Sequence, residues 1–217
     1  MTVSALWTRT AALACDDGAP RFDRNGRLFG GFWQNLRKDR RRGIRIEGEA
    51  VANLDFASMF PRLAYASVGA VAPEGDLYAI PGLEGHRRAV KMAMNCLLMD
   101  DFRRSKWPKE LTTADDGGDA SVTLPAGWTV KRTKDAILQK HPALRPCLGV
   151  GLGLTLMYGE SEILVRVLEE MKARGMVALG LHDGLLLPRS RADEGRRMME
   201  VVSREFTPAG IPVDVKS

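Results

Sequence analysis

The spacing of apolar residues changes several times along this chain, and each change predicts an element. "GIRIEGEAVANLDF" (43–56) alternates and then turns apolar, as expected of a hairpin whose second, buried strand runs into Asp55. "SMFPRLAYASVG" (58–69) follows as a helix, with Ser58 as its cap and Pro61 accepted because it falls in the first turn. "HRRAVKMAMNCLLMDDFRRS" (86–105) is a helix with Val90, Met94, Leu97 and Leu98 on its apolar face. Arg87 and Lys91 share another side of it. Residues 106–130 are polar, acidic and rich in glycine, which predicts a long surface connection.

"TKDAILQKH" (133–141) is a short helix ended by Pro142. "LTLMYGESEILVRVLEEMKARG" (154–175) contains a long helix, in which Ile163, Leu164, Val167, Leu168 and Met171 recur at helical spacing and Gly175 is the stop. "MVALGLHDGLLLPRS" (176–190) holds two apolar segments around a turn, a β-hairpin with His182 and Asp183 at its tip. "ADEGRRMMEVVSREF" (192–206) is an amphipathic helix, and "IPVDVKS" (211–217) closes the chain as a short edge strand. Upstream, "NGRLFGGFWQ" (25–34) joins a turn to a short strand. No internal repeat or heptad array is present. The mixture predicts an α+β fold with an antiparallel sheet packed with helices.

The chain has 217 residues, 45% hydrophobic and 27% charged, which is enough for one large or two small domains with a real core. Its apolar runs are too short and broken to span a membrane. "MTVSALWTRTAALACDDG" reads as neither a signal peptide nor a span. Cys15, Cys96 and Cys147 lie far apart without CxxC spacing, which argues against structural zinc and a disulfide framework. Free thiols and the absence of a leader predict a cytoplasmic location. The net charge is +5, and five of the six residues of "RKDRRR" (37–42) are cations. Such a run is either a solvated loop or a contact for a polyanion.

Asp55 and Asp183 carry the candidate chemistry. Each ends or punctuates an apolar strand, and an unpaired buried carboxylate costs several kcal/mol, roughly, unless it finds a partner, a metal or a proton. Two carboxylates at strand ends can meet in one sheet and hold Mg²⁺ (or Mn²⁺), and two such ions align an in-line phosphoryl transfer. Transfer from a triphosphate also needs positive charge on the phosphates, which Arg87 and Lys91 present from one helix side; Arg88 points elsewhere. The competing readings are that each Asp marks a turn and that the helix side is merely solvated.

The order of these motifs resembles the palm and fingers of a template-directed DNA polymerase. "DFASMFP" is similar to polymerase motif A, closer in spelling to the "DxxSLYP" of family B than to the "DYSQIE" of family A. "RAVKMAMNCL" resembles motif B: Arg87 to Lys91 matches the family A "RxxxK", and Lys91 to Asn95 the family B "KxxxN". "LGLHDGLLLP" resembles the family A motif C, "HDE" on a palm hairpin preceded by a long helix. "GIPVDVKS" is similar to the closing palm strand, and "GRLFGGFWQ" to the approach strand of family-A-like polymerases of phages and plasmids. The resemblance covers roughly residues 26–217 and suggests a small, divergent family-A-like DNA polymerase.

The resemblance implies four parts: an N-terminal basic region and approach strand (1–46), a palm segment with motif A (47–80), fingers-like helices (81–148) and a palm segment with the motif C hairpin (149–217). It implies that Asp55, Asp183 and the backbone carbonyl of Phe56 bind two catalytic metal ions. Arg87 and Lys91 would hold the incoming deoxynucleoside triphosphate, and Lys91 would also protonate the leaving pyrophosphate. His182 would sit near the primer terminus, Asn95 would face the nascent base pair, and Phe60 stands where a bulky side chain excludes a ribose 2′-hydroxyl. Arg27, Arg37, Arg41 and Arg42 would contact the backbone of a DNA primer-template.

Several features depart from the pattern. Gly184 stands where family A has an acidic residue, and Leu97, Leu98 and Met99 replace the aromatic end of motif B. No stretch resembles a proofreading exonuclease, and the N-terminal part is too short for an ordinary thumb, so a processivity or replication partner is expected. A template-independent terminal transferase and a non-catalytic nucleic-acid-binding relic of a polymerase are the alternatives. An HD-type phosphohydrolase needs more histidines than His86, His141 and His182. His86 is expected beside a helix cap and His141 in a loop. Trp33, Trp107 and Trp128 read as core or loop anchors. Glu160 and Glu162 read as a solvated first helical turn rather than as extra metal ligands.

Overall fold

The computed structural model describes residues 8–11, 23–113 and 120–216. It is α+β, and the chain divides into two compact units. The first holds residues 1–59 and 154–217, the second residues 60–153. Strand residues 49–56 thus share a unit with the C-terminal segment, and residues 60–80 belong to the second unit. Among the described residues, no helix is long and apolar enough to cross a membrane.

The first unit is built on a five-stranded antiparallel sheet. Its central strand is β4 (Glu49–Phe56), entered through a tight turn from β3 (Arg45–Ile46). On one side β4 pairs with β6 (Gly184–Pro188), which forms a hairpin with β5 (Leu179–Gly180). Its other side is shared by β3 and the closing strand β7 (Val213–Lys216), which is an edge strand as expected. Every residue of β6 is buried, which explains its unbroken apolar spelling. α7 (Ala192–Ser203) packs on β4, β6 and β7. The helix approaches the sheet closely at Gly195, where a Cβ would come within 2.5 Å of Leu187 Cδ2 and displace that side chain.

A separate ribbon pairs β1 (Thr8–Ala11) with β2 (Asn25–Phe29), the short strand predicted within residues 25–34. A 3₁₀ turn at Phe32–Gln34 follows, then the single-turn helix α1 (Lys38–Arg41). α6 (Gly153–Ala173) is the predicted long helix, and Ile163, Leu164, Val167 and Met171 are all buried. It ends at Gly175, whose φ of 65° is the left-handed geometry a helix stop favours.

The second unit contains only helices among its described residues. α2 (Met59–Ser67) carries Pro61 in its first turn. Ser58 is not the expected cap, because its φ of 55° is left-handed whereas a capping residue is extended. α3 (Arg87–Met99) buries Val90, Met94, Leu97 and Leu98 as predicted. It stops six residues short of the predicted end at 105 because Asp100 turns extended, and Arg104 grips its carboxylate at 2.6 and 2.7 Å.

The 106–130 segment is not a plain surface excursion. It contains the short helix α4 (Lys109–Thr112) and buries Trp107, Leu111 and Leu124. Residues 114–119 of it lie outside the described residues. α5 (Val130–Lys140) is capped by the Thr129 side chain and ends before Pro142. His141 joins α5 to the 3₁₀ turn at Pro142–Cys147, outside any regular element as expected, yet it is fully buried, with Nδ1 2.8 Å from the Tyr65 hydroxyl and Nε2 2.8 Å from the Leu77 carbonyl.

Candidate functional site

The alternation of β4 explains how a carboxylate can end an apolar strand. Ala52, Leu54 and Phe56 point to the buried side, while Asn53 and Asp55 lie on a half-buried side. The strand expected to be buried is so on one face only, and Asp55 lies near its end without entering the core. In the β4–β6 ladder Asp55 stands opposite Gly184. The Phe56 N–H then donates to the Asp183 carbonyl at 2.8 Å, tying the end of β4 to the hairpin tip. The carboxylates of Asp55 and Asp183 consequently lie within hydrogen-bonding reach of each other.

That closeness is electrostatically costly. Burial pushes the Asp55 carboxyl above its ordinary range, and the charge of Asp183 pushes it further. Lys216 of β7 opposes both by giving its ammonium to Asp55. His182, at the hairpin tip, is exposed and rests edge-on against the Phe29 ring, with centroids 5.8 Å apart. Partial burial lowers its pKa, and Arg27 and Arg41 lower it further while Asp183 opposes them.

Glu160 was expected in a solvated first turn, and the structure overturns this. It lies beyond the first turn of α6, only 1% exposed, and accepts two hydrogen bonds from Arg27 Nη2 at 2.9 and 3.3 Å. Burial pushes its carboxyl up to about 7; Arg27 works against that rise, and the charges of Asp183 and Asp55 add to it. A sequence signal existed: Glu160 is four residues after Leu156 and three before Ile163, on the stripe that the helix buries. Arg27, expected on a nucleic-acid backbone, instead turns to this carboxylate. Glu162 is half-buried.

The remaining predicted residues fall in two groups. Arg37, Arg41 and Arg42 flank or belong to α1 in the first unit, and Arg37 makes an exposed ion pair with Asp39 at 3.6 Å. Phe60, Arg87, Lys91 and Asn95 belong to the second unit. Lys91 is exposed on α3 and Phe60 is half-buried on α2. Arg87 is held by Asp76 through two hydrogen bonds of 2.7 and 3.1 Å and lies over the Tyr78 ring. Asn95 keeps a buried Oδ1 without a hydrogen-bond partner among the described residues. Trp33 and Trp107 are buried anchors, as expected.

Among the described residues, no group of three or more His, Cys, Asp or Glu side chains is arranged to hold a metal ion. The Asp55–Asp183 pair would therefore need other oxygens to complete a coordination shell. The pair itself is chemically suited to a hard cation: two carboxylates with oxygen donors, close enough to repel. No protein-family model matches the chain, and no curated protein is similar to it.

Proposed function

We propose that this chain is a metal-dependent nucleotidyltransferase that extends a DNA 3′-hydroxyl with deoxynucleoside triphosphates, a small DNA polymerase with a palm-like sheet. The observation that carries the reading is the convergence of Asp55 and Asp183 at one end of an antiparallel sheet, with mutual repulsion that a divalent cation would relieve. The motif resemblance in the sequence supports it independently.

In this reading Asp55, Asp183 and the Phe56 carbonyl would hold Mg²⁺ or Mn²⁺. When bound, such ions lower the pKa of the attacking hydroxyl and neutralise the leaving pyrophosphate. The 3′-oxygen forms a bond to the α-phosphorus as the bond to the β-phosphate oxygen breaks. His182 adjoins the primer terminus. Lys91 and Arg87 hold the triphosphate, and Lys91 can supply a proton to the leaving group. Arg87 must trade Asp76 for a phosphate to do so, which makes Lys91 the stronger contributor. Phe60 excludes a ribose 2′-hydroxyl, and Asn95 faces the nascent base pair.

One observation favours the non-catalytic alternative. Lys216 already neutralises Asp55, so a cation is present without any metal. Extension of a labelled primer on a template, with Mg²⁺ or Mn²⁺, separates the two. Templated addition that is lost in Asp55→Asn and in Asp183→Asn is the expected result. Addition at wild-type rate by Asp183→Asn, or no addition by wild-type protein with either metal, overturns the proposal.

A further inference from the structure

The closing strand β7 leaves one edge of the first unit's sheet open: no strand pairs with its outer side among the described residues. The phase of the ladder shows which backbone groups face that way. The Ala57 N–H donates to the Pro212 carbonyl at 2.8 Å, while the Phe56 N–H turns to the opposite side of β4, to Asp183. Antiparallel ladders alternate in this manner, so Asp214 and Lys216 turn their N–H and C=O groups toward β4. Val213 and Val215 turn theirs to the open edge. An unpaired edge of this kind is a template for another strand.

The side chains of β7 suit one particular strand. Asp214 stands opposite Asp55 and Lys216 opposite Asn53, so both lie on the half-buried face of β4, and both are exposed. Val215 stands opposite Leu54, on the face that α7 covers, yet it is 49% exposed, and Val201 of α7 is 57% exposed. The run Asp214-Val215-Lys216 is its own complement when paired antiparallel. With a two-fold axis at Val215, the two copies of Val215 exchange both of their outward hydrogen bonds, and each Asp214 faces a Lys216. A pairing centred on Asp214 would instead set two like carboxylates face to face, which disfavours it. Lys216 already gives its ammonium to Asp55, but that group has three N–H donors and can serve a second carboxylate.

We infer that β7 pairs with β7 of a second copy of this chain, antiparallel and centred on Val215, so that the two sheets continue as one. The contact brings the ammonium of a second Lys216 to Asp214, on the face that carries Asp55. A strand of four residues offers a small interface, so the association is reversible and depends on concentration. The inference uses neither the metal nor the nucleotide of the proposed function.

The test is sedimentation equilibrium over a range of protein concentrations, with circular dichroism to show that each variant is folded. Wild-type protein is expected to shift toward twice its monomer mass as concentration rises. Val215→Pro removes an outward N–H that β4 does not use and should leave a folded monomer. Asp214→Lys and Lys216→Asp each set like charges against each other in the pair and should each stay monomeric. Mixed in equal amounts the two should associate, because every facing pair is then opposite in charge. Lys216 touches Asp55, so should Lys216→Asp fold poorly, Val215→Pro and Asp214→Lys carry the test. A wild-type mass that stays monomeric, or an association that Val215→Pro or Asp214→Lys leaves unchanged, overturns the inference. So does a failure of the two folded charge variants to associate when mixed.

Discussion

Asp55 and Gly184 face each other across the β4–β6 ladder so closely that no side chain fits at position 184. A Cβ there would collide with the Leu54 carbonyl and lie 2.9 Å from Asp55 Oδ1. Glycine at this position thus has a steric cause, because the β4 backbone at Leu54 occupies the space that a side chain would need. Gly184→Ala should destabilise the fold by at least about 2 kcal/mol, through a forced shift of the ladder. Gly184→Glu should destabilise the fold further. Denaturant unfolding measures the first, and an unchanged midpoint in Gly184→Ala would mean that β6 can move away from β4.

Lys216 and a divalent cation compete for Asp55. Lys216→Met should tighten Mn²⁺ binding about two- to fivefold, since a partly exposed ion pair is worth under about 1 kcal/mol. Calorimetric titration of metal into wild-type and variant protein reads this directly. Equal affinities would show that the ammonium leaves Asp55 at no cost.

Glu160 makes stability depend on pH. Its carboxyl is raised to about 7 in the folded chain from an ordinary value of 4.5, so between these values the folded state holds a proton that the unfolded state has released. Stability from this group is therefore greatest below pH 4.5 and falls as pH rises to 7, by at most about 3 kcal/mol. Asp55, also raised, acts in the same direction. Glu160→Gln should flatten the decline. A melting-temperature profile of metal-free protein as steep in the variant as in wild type would remove Glu160 as the cause.

The Tyr65–His141 bond is a structural clamp in the second unit. Burial pushes the Tyr65 hydroxyl up and the His141 imidazole down, so both stay neutral. With Nε2–H donated to Leu77, Nδ1 accepts from Tyr65. Tyr65→Phe leaves that nitrogen buried and unsatisfied, at a cost of about 1–3 kcal/mol. A urea midpoint unchanged from wild type would place a water at the vacated hydroxyl.

The sequence by itself determined most of the elements, because the period of apolar residues is a local property. The strand into Asp55, the His182–Asp183 hairpin, the apolar face of residues 90–98 and the long helix with its Gly175 stop were all legible. Only the tertiary structure decided which side chains meet. Arg27 and Glu160 are 133 residues apart, and nothing in the neighbourhood of either names the other. The spelling of β7 does not reveal that Lys216 reaches Asp55, nor that of β6 that the Leu54 carbonyl compels glycine at 184. Asp55 and Asp183 could be named as a pair from the chemistry they share, but their repulsion and its neutralisation depend on distance and burial. Both quantities arise only when strands distant in sequence come into register, since charge and steric interactions act through space rather than along the chain.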